Sequence, residues 1–310
     1  MNFESMNIIK QLPLPISGLI LATLSLGNLL QDIHPSIRYL FGTIGIVIMI
    51  SILLKVVLYP QDVKNDFKNP IILSSCGTFS MSLMLLSTYL IQFMPSIAYT
   101  IWIIGLGLHI LLMIFFTYRF VISTFDISTV YPTWWIVYVG ITMGAITAHI
   151  HGLKEIGFIL FMIGFTAMLI TTPVMFYRYI KYSDIPNMNK PLICIHTALF
   201  SILIVGYLNS AQTISNEFLI GIYAIACIFY IFSFYKLVEY RTLEFYPSFS
   251  AFTFPFVISA LATKGVLEVA SPNVILSTIS TIETLIAIVV VFYVLSEYMN
   301  FLKNSKKSRN

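Results

Sequence analysis

The chain has 310 residues, of which 58% are hydrophobic and only 10% are charged, and its net charge is +4 at pH 7. Soluble domains carry about 25% charged residues, so this composition excludes a soluble fold and makes lipid the main solvent. The positive surplus is too small to predict nucleic acid as a partner. The expected class is therefore an all-α integral membrane protein whose first partner is the lipid bilayer.

Ten apolar stretches are each long enough to cross a ~30 Å hydrocarbon core as a helix. The segment before the first stretch has one basic residue, Lys10, and no small-residue cleavage site follows it. The first stretch is therefore predicted to be a retained helix rather than a signal peptide. The predicted helices lie at about 13–30, 35–59, 70–92, 95–118, 129–149, 153–179, 190–209, 215–237, 246–268 and 273–300.

A proline opens each odd-numbered predicted helix, where its missing N–H costs nothing. The intervals between these prolines are 57, 62, 59 and 56 residues, about the length of one helical hairpin. This spacing predicts one transmembrane domain, 1–310, built of five helical hairpins in a quasi-fivefold arrangement. The alternative is that prolines simply collect at membrane boundaries. The prolines are Pro13, Pro70, Pro132, Pro191 and Pro247, and the hairpins cover about 13–59, 70–118, 129–179, 190–237 and 246–300.

The basic residues orient these hairpins. If the longer loops and both ends share one side, that side holds 14 of the 17 lysines and arginines, leaving only Arg38, Lys154 and Lys264 on the other. The positive-inside rule then predicts that both termini, including the basic tail 301–310, lie in the cytoplasm. The expected location is the plasma membrane.

Small and polar residues concentrate in the odd-numbered helices, including Gly77 in helix 3, Gly144 in helix 5, and Ser250 and Thr253 in helix 9. The even-numbered helices 2, 4, 8 and 10 are dominated by Ile, Leu, Val and Phe. Lipid-facing residues are large and apolar, so the odd helices are predicted to be the inner ones and to line a pore. The alternative for any single small residue is that it lets two backbones pack closely.

Catalytic and metal-binding motifs are not found in the sequence. It contains no Gly-rich phosphate loop, nucleophile elbow or zinc-binding helix motif, so we expect neither an enzyme nor a bound cofactor or metal. His149 and His151 have metal-like spacing but no evident third ligand. The sequence assigns no role to these two residues, to His196 or to Glu283.

Helix 9 contains Ser250-Ala251-Phe252-Thr253-Phe254-Pro255-Phe256, followed by a small-residue stretch that ends in Ala262-Thr263. This segment resembles the ninth helix of the tellurite-resistance/dicarboxylate transporter (TDT) family, which includes the slow anion channels of plant guard cells. The segments 12–18 and 26–29 and the ten-helix plan are similar to the bacterial members of that family. The resemblance extends over nearly the whole chain.

The resemblance implies membrane transport of small anions through a central pore. In that family a phenylalanine of helix 9 closes the pore, and the residue at its position is Phe254. The adjacent Pro255 removes one backbone hydrogen bond and is expected to kink the helix. The resemblance also implies a homotrimer with a small inorganic or organic anion as substrate. The candidate pore-lining and kink residues are Pro255, Thr253, Ser250, Gly18, Gly77 and Gly144.

Two points stay open in the sequence. The alternative to a channel is a proton-coupled carrier that exports a weak acid such as a C4-dicarboxylate, sulfite or tellurite. The sequence also departs from the family pattern, because the position eight residues after Pro191 is Leu199, whereas the position eight residues after Pro247 is Pro255. A less kinked pore is therefore expected, and the sequence does not choose the permeant anion.

Overall fold

The structure is a computed structural model that describes residues 3–270 and 273–307. Within these ranges it is entirely helical, without strands, as expected for backbone that must satisfy its own hydrogen bonds in lipid. The α-helices are α1 (Phe3–Gln11), α2 (Ser17–Leu30), α3 (Pro35–Leu58), α4 (Pro60–Asp66), α5 (Pro70–Ser75), α6 (Gly77–Leu90), α7 (Pro95–Phe116), α8 (Thr133–Tyr138), α9 (Thr142–Ala148), α10 (Lys154–Lys181), α11 (Ile195–Ser210), α12 (Asn216–Tyr240), α13 (Thr253–Val269) and α14 (Val274–Lys307).

Eight of the ten predicted stretches form helices that are long and apolar enough to cross a membrane in the described part of the chain. The first stretch forms a shorter apolar helix, Leu14–Leu30. The fifth is divided into the short helices α8 and α9, which is why length alone does not identify it as a span. Of the predicted basic tail 301–310, residues 308–310 lie outside the described residues, and so does Pro272, which lies between the ninth and tenth predicted helices.

Helices that are consecutive in the chain pack side by side: α2 with α3, α6 with α7, α9 with α10, α11 with α12, and α13 with α14. The short turns 31–34, 91–94, 149–153 and 211–215 connect the first four pairs at one end of the molecule, called here the turn face. The other end, called the termini face, carries α1, which packs against α14 and α3. There the Tyr59 hydroxyl donates to the Met6 carbonyl oxygen at 3.0 Å.

Five helices form a closed ring in the middle of the molecule. The contacts run from α2 to α6, α9, α11, α13 and back to α2. The long inner spans are 72–83% buried, whereas the outer spans are only 22–33% buried. Large apolar side chains such as Val57, Leu111 and Ile231 are exposed on the outer helices, where lipid can cover them.

Each inner segment changes its helical geometry between the termini face and the ring. A 3-10 stretch precedes α2 (Leu14–Ile16), α11 (Asn187–Cys194) and α13 (Pro247–Phe252), while Cys76 separates α5 from α6. The fourth inner segment changes from 3-10 to α geometry after Cys194, three residues beyond Pro191, which lies inside the 3-10 stretch. Leu199, whose lack of proline predicts a less kinked pore, lies inside the helix α11. At the change of geometry, His196 Nδ1 lies 2.7 Å from the Ile193 carbonyl oxygen.

Candidate functional site

A small cavity lies at the centre of the ring and is enclosed by all five inner segments. Its volume is about 50 Å³, which is room for only a few water molecules. Its lining is mostly apolar, with hydroxyls supplied by Ser75, Thr78, Thr133 and Ser250. The other lining residues are Pro15, Gly18, Met81, Trp135, Ile136, Val139, Gly140, Leu192, Ile195, Ala198, Leu199, Ile202, Ala251, Phe254 and Pro255.

Phe254 and Pro255 lie on the wall of this central cavity, at the start of α13. The Phe254 side chain is 6% exposed. Pro255 is the third residue of α13, where its missing N–H has no intrahelical partner to lose. The break in the ninth segment is therefore the change from 3-10 to α geometry at Thr253, two residues before Pro255.

Of the six sequence-predicted lining residues, Gly18, Ser250 and Pro255 lie on the central cavity. Thr253 is turned toward the neighbouring helix, because its hydroxyl donates to the Ser250 carbonyl oxygen at 2.7 Å and lies 3.4 Å from the carbonyl oxygen of Gly18. Thr253 therefore joins the start of α13 to α2.

Gly77 and Gly144 lie in contacts between helices and do not line the central cavity. A Cβ on Gly77 would be 3.0 Å from Ile136 Cγ2, and one on Gly144 would be 2.7 Å from Leu160 Cδ1. Their lack of a side chain lets α6 approach α8 and lets α9 approach α10.

The sequence reading missed the apolar part of the lining. Leu192, Ile195, Leu199 and Ile202 follow one another at intervals of three or four residues, so they form one face of the fourth inner segment. That spacing was available in the sequence, but it is equally typical of a packed core. Gly140, one of the small residues of predicted helix 5, also lines the cavity. A Cβ there would be 2.1 Å from the Ile136 carbonyl oxygen, so the turn between α8 and α9 requires glycine.

A second, larger cavity opens at the turn face and is called here the vestibule. Its volume is about 560 Å³. Amide and hydroxyl side chains line it together with two cations and one carboxylate. The polar lining residues are Ser25, Asn28, Gln31, Arg38, Thr88, Gln92, Thr147, His149, Asn209, Lys264 and Glu268.

A third cavity, of about 300 Å³, opens at the termini face. Lys55 and Asp66 lie on its wall with their charged groups 3.8 Å apart, and Lys55 Nζ also donates to the Leu12 carbonyl oxygen at 2.5 Å. Burial raises the pKa of the Asp66 carboxyl, and the Lys55 ammonium opposes that shift. The cation at this mouth is therefore largely neutralised by its carboxylate partner.

The three cavities follow one another along the axis of the inner ring. The central cavity shares Pro15, Ser75 and Leu192 with the mouth at the termini face, so these two spaces adjoin. The central cavity and the vestibule share no lining residue. On α13 the last residue that lines the central cavity is Pro255 and the first that lines the vestibule is Ile258, a separation of three residues, or about 4.5 Å along the helix. An apolar constriction therefore separates the centre from the turn face.

Three of the five histidines occupy packed positions, whereas His34 and His149 are exposed. His109 is fully buried and its ring nitrogens lie 2.8 Å from Ser80 Oγ and 3.1 Å from the Val137 carbonyl oxygen. His151 lies 3.0 Å from Ser87 Oγ, and the His196 ring meets the Trp135 ring edge-on at 4.9 Å. Among the described residues no group of three His, Cys, Asp or Glu side chains is placed to hold a metal ion.

Glu283 on α14 is 4% exposed and lies beside a very small cavity behind α13. Its Oε2 and the hydroxyl of Tyr230, which lines the same space, have no hydrogen-bond partner in the described structure. The cavity holds about 10 Å³, close to the least volume that accepts one water molecule. Glu283 thus lies on the outer side of α13 and lines none of the three cavities along the axis of the ring.

Comparison with known protein families adds the deciding observation. A family model described as SLAC1, voltage-dependent anion channel, matches residues 11–299, which is nearly the whole chain. The chain belongs to the SLAC1 family of voltage-dependent anion channels. No curated protein matches the chain.

Membership in the SLAC1 family establishes the general function of the chain. The chain is a multi-pass membrane protein whose activity is membrane anion transport, and it is a transporter rather than an enzyme. The family that the helix 9 motif suggested is therefore confirmed. The matched region covers all five inner segments, so the ring and its three cavities lie inside the SLAC1 region.

Proposed function

We propose that this SLAC1-family chain conducts small anions along the axis of its inner ring and that Phe254 is the gate. The order of the cavities supports the proposal: a wide vestibule, an apolar constriction, a small central cavity and a second mouth. An apolar constriction blocks ions by excluding the water that must accompany them. Phe254 is the largest side chain of α13 on the central cavity and lies next to the constriction.

A channel is favoured over a proton-coupled carrier by the chemistry of the central cavity. None of its described lining residues is ionisable. A proton-coupled carrier places a group that binds and releases a proton in the middle of the pathway, and such groups are charged residues or histidines. The ionisable residues His149, Glu268 and Asp66 line only the vestibule and the mouth at the termini face. Among the described residues, the buried carboxyl with an unpartnered oxygen is that of Glu283, and it lies behind α13.

The proposal includes an architecture around the pore. The inner segments would be the odd members of ten membrane crossings, which form five hairpins in a quasi-fivefold arrangement with both termini in the cytoplasm. The paired helices and the closed ring support this arrangement. A homotrimer in the plasma membrane is proposed from the family resemblance, and the mass of the purified protein in detergent tests that assembly.

Anion currents of Phe254→Ala test the gate. Removing the ring widens the constriction, so the current at a fixed voltage should rise severalfold. Phe256→Ala is the matched control, because Phe256 is fully buried and packs against Tyr230 at 5.4 Å between ring centroids instead of lining the cavity. It should lower stability without raising the current.

Two outcomes would reject parts of the proposal. If Phe254→Ala is present in the membrane and its current equals that of the unmodified protein, Phe254 is not the gate. If neither protein carries current with any anion while a pH gradient drives uphill and saturable anion flux, the chain is a carrier.

A further inference from the structure

Arg38 enters the vestibule from the first turn of the outer helix α3 and is held there by neutral groups. Its Nη2 donates to the Thr88 carbonyl oxygen at 2.8 Å and lies 3.3 Å from Thr88 Oγ1. Its Cζ lies 4.5 Å from the centre of the Tyr89 ring, a cation–π contact. These contacts fix the position of the guanidinium without cancelling its charge.

The Tyr89 ring that supports Arg38 is itself fixed. Its hydroxyl donates to the Leu24 carbonyl oxygen at 2.5 Å. Gly27 and Gly42 lie directly against it: a Cβ on Gly27 would be 2.4 Å from the Tyr89 oxygen, and one on Gly42 would be 2.8 Å from the ring. The two glycines leave the space that the ring occupies, so Arg38 rests on a rigid platform.

Arg38 differs from the other cations that line the cavities. Lys55 at the termini face is paired with Asp66, and Lys264 in the vestibule is paired with Asp32. Within residues 3–270 and 273–307, no carboxylate forms an ion pair with Arg38. The carboxylate of Glu268, which also lines the vestibule, is exposed to water. Among the described residues, Arg38 is therefore the vestibule cation without a carboxylate partner, while the exposed Glu268 carboxylate in the same cavity lowers its net charge.

The Nε of Arg38 is buried and lacks a hydrogen-bond partner in the described structure. A buried donor without a partner is costly, and it is a common feature of a site that a ligand completes. The unused N–H groups of Arg38 can only donate, so the ligand that satisfies them must be an acceptor. A small anion meets both the charge and the hydrogen-bonding requirement.

From these observations we infer that Arg38 forms an anion-binding site in the vestibule, at which anions gather before they cross the constriction. The site takes a small inorganic or carboxylate anion. The inference rests on the proposed channel function, in which the vestibule leads to the constriction next to Phe254. It adds a selectivity-determining residue on an outer helix, outside the ring that lines the path.

Currents of Arg38→Gln in the Phe254→Ala background test the site, with chloride as the probe. At low chloride on the turn-face side, the current carried by anions entering from that side should fall by about threefold or more. In water, one unit charge about 7 Å away changes the local concentration of a monovalent anion by about threefold. Entry from the other side should change less, and high salt should reduce the difference because it screens the charge.

Lys154→Gln is the matched control, because it removes a turn-face cation that does not line the vestibule. Equal loss of current in both variants would mean that only the overall surface charge matters, and it would overturn the site. Arg38→Lys keeps the charge and should retain most of the current, which separates loss of charge from loss of fold.

A second measurement keeps the two proposals apart. A bound anion stabilises the folded protein by mass action, so chloride should raise the unfolding temperature of the purified protein, and Arg38→Gln should abolish that increase. If Phe254→Ala fails to open a pore but this increase depends on Arg38, the gate is wrong and the site stands. If Phe254→Ala conducts and Arg38→Gln changes neither entry nor stabilisation, the site is wrong and the gate stands.

Discussion

Gly18 of α2 lies so close to Ser250 that a Cβ on Gly18 would be 3.2 Å from Ser250 Cβ and 3.4 Å from its Oγ. Both residues line the central cavity, and Ser250 precedes Phe254 by four residues. Because α2 and the ninth segment meet here through a glycine, the position of the proposed gate depends on a residue in the first segment.

Gly18→Ala is expected to alter transport and to stabilise less than an ordinary Gly→Ala change. In an unhindered helix, replacing glycine with alanine stabilises by about 0.5–1 kcal/mol. At Gly18 the new methyl must push Ser250 by a few tenths of an ångström, which costs stability and moves the wall of the cavity. The measurements are the unfolding temperature in detergent and the anion current.

Gly107→Ala is the control for that prediction, because no atom lies within 4 Å of a Cβ at Gly107. It should show the full stabilisation and an unchanged current. If Gly18→Ala behaves like Gly107→Ala in both measurements, the close contact between Gly18 and Ser250 does not control the pathway.

The sequence predicted the membrane class and the all-helical fold for a physical reason. Lipid forces the backbone into helices, so apolar length and the repeated prolines report the helices almost directly. The sequence predicted one helix at 129–149 but not its division into α8 and α9, because the turn between them depends on the tight contact at Gly140. Such a turn leaves no mark in hydropathy.

The candidate site was predictable only in part. Small residues occur both where a lumen passes and where two helices touch, so their type does not separate Gly18 from Gly77 or Gly144. The role of Arg38 could not be read either, because its partner Tyr89 is distant in sequence and its lack of a carboxylate partner is a property of the fold. Site residues that depend on lateral packing require the structure.

Thr142 on α9 is enclosed by two glycines of neighbouring helices. A Cβ on Gly164 of α10 would be 2.1 Å from Thr142 Oγ1, and one on Gly206 of α11 would be 2.3 Å from Thr142 Cγ2. The Thr142 hydroxyl has no hydrogen-bond partner in the described structure. The side chain therefore acts by filling the space at which three helices meet.

Gly164→Ala and Gly206→Ala are each expected to destabilise the protein by about 1–3 kcal/mol, the usual cost of overpacking a core. Thr142→Ala removes Oγ1 and Cγ2, the two atoms that the new methyl groups would meet. The double variants Gly164→Ala/Thr142→Ala and Gly206→Ala/Thr142→Ala should therefore recover most of the lost stability. Denaturant or thermal unfolding in detergent gives the coupling energy. Gly221→Ala, where a Cβ meets nothing within 4 Å, is the control and should not destabilise. Additive effects of the paired changes would contradict the enclosure of Thr142.

The orientation of the chain is predicted from its basic residues and is tested by cysteine labelling. Asp184 is exposed between α10 and α11 on the termini face, and Thr213 is exposed in the turn after α11. In a background without the three native cysteines, a membrane-impermeant maleimide added to intact cells should label Thr213→Cys and not Asp184→Cys. After permeabilisation both should react, since both positions are exposed to water. The reverse pattern would invert the topology, and labelling of both in intact cells would mean that α11 and the 3-10 stretch before it do not cross the membrane.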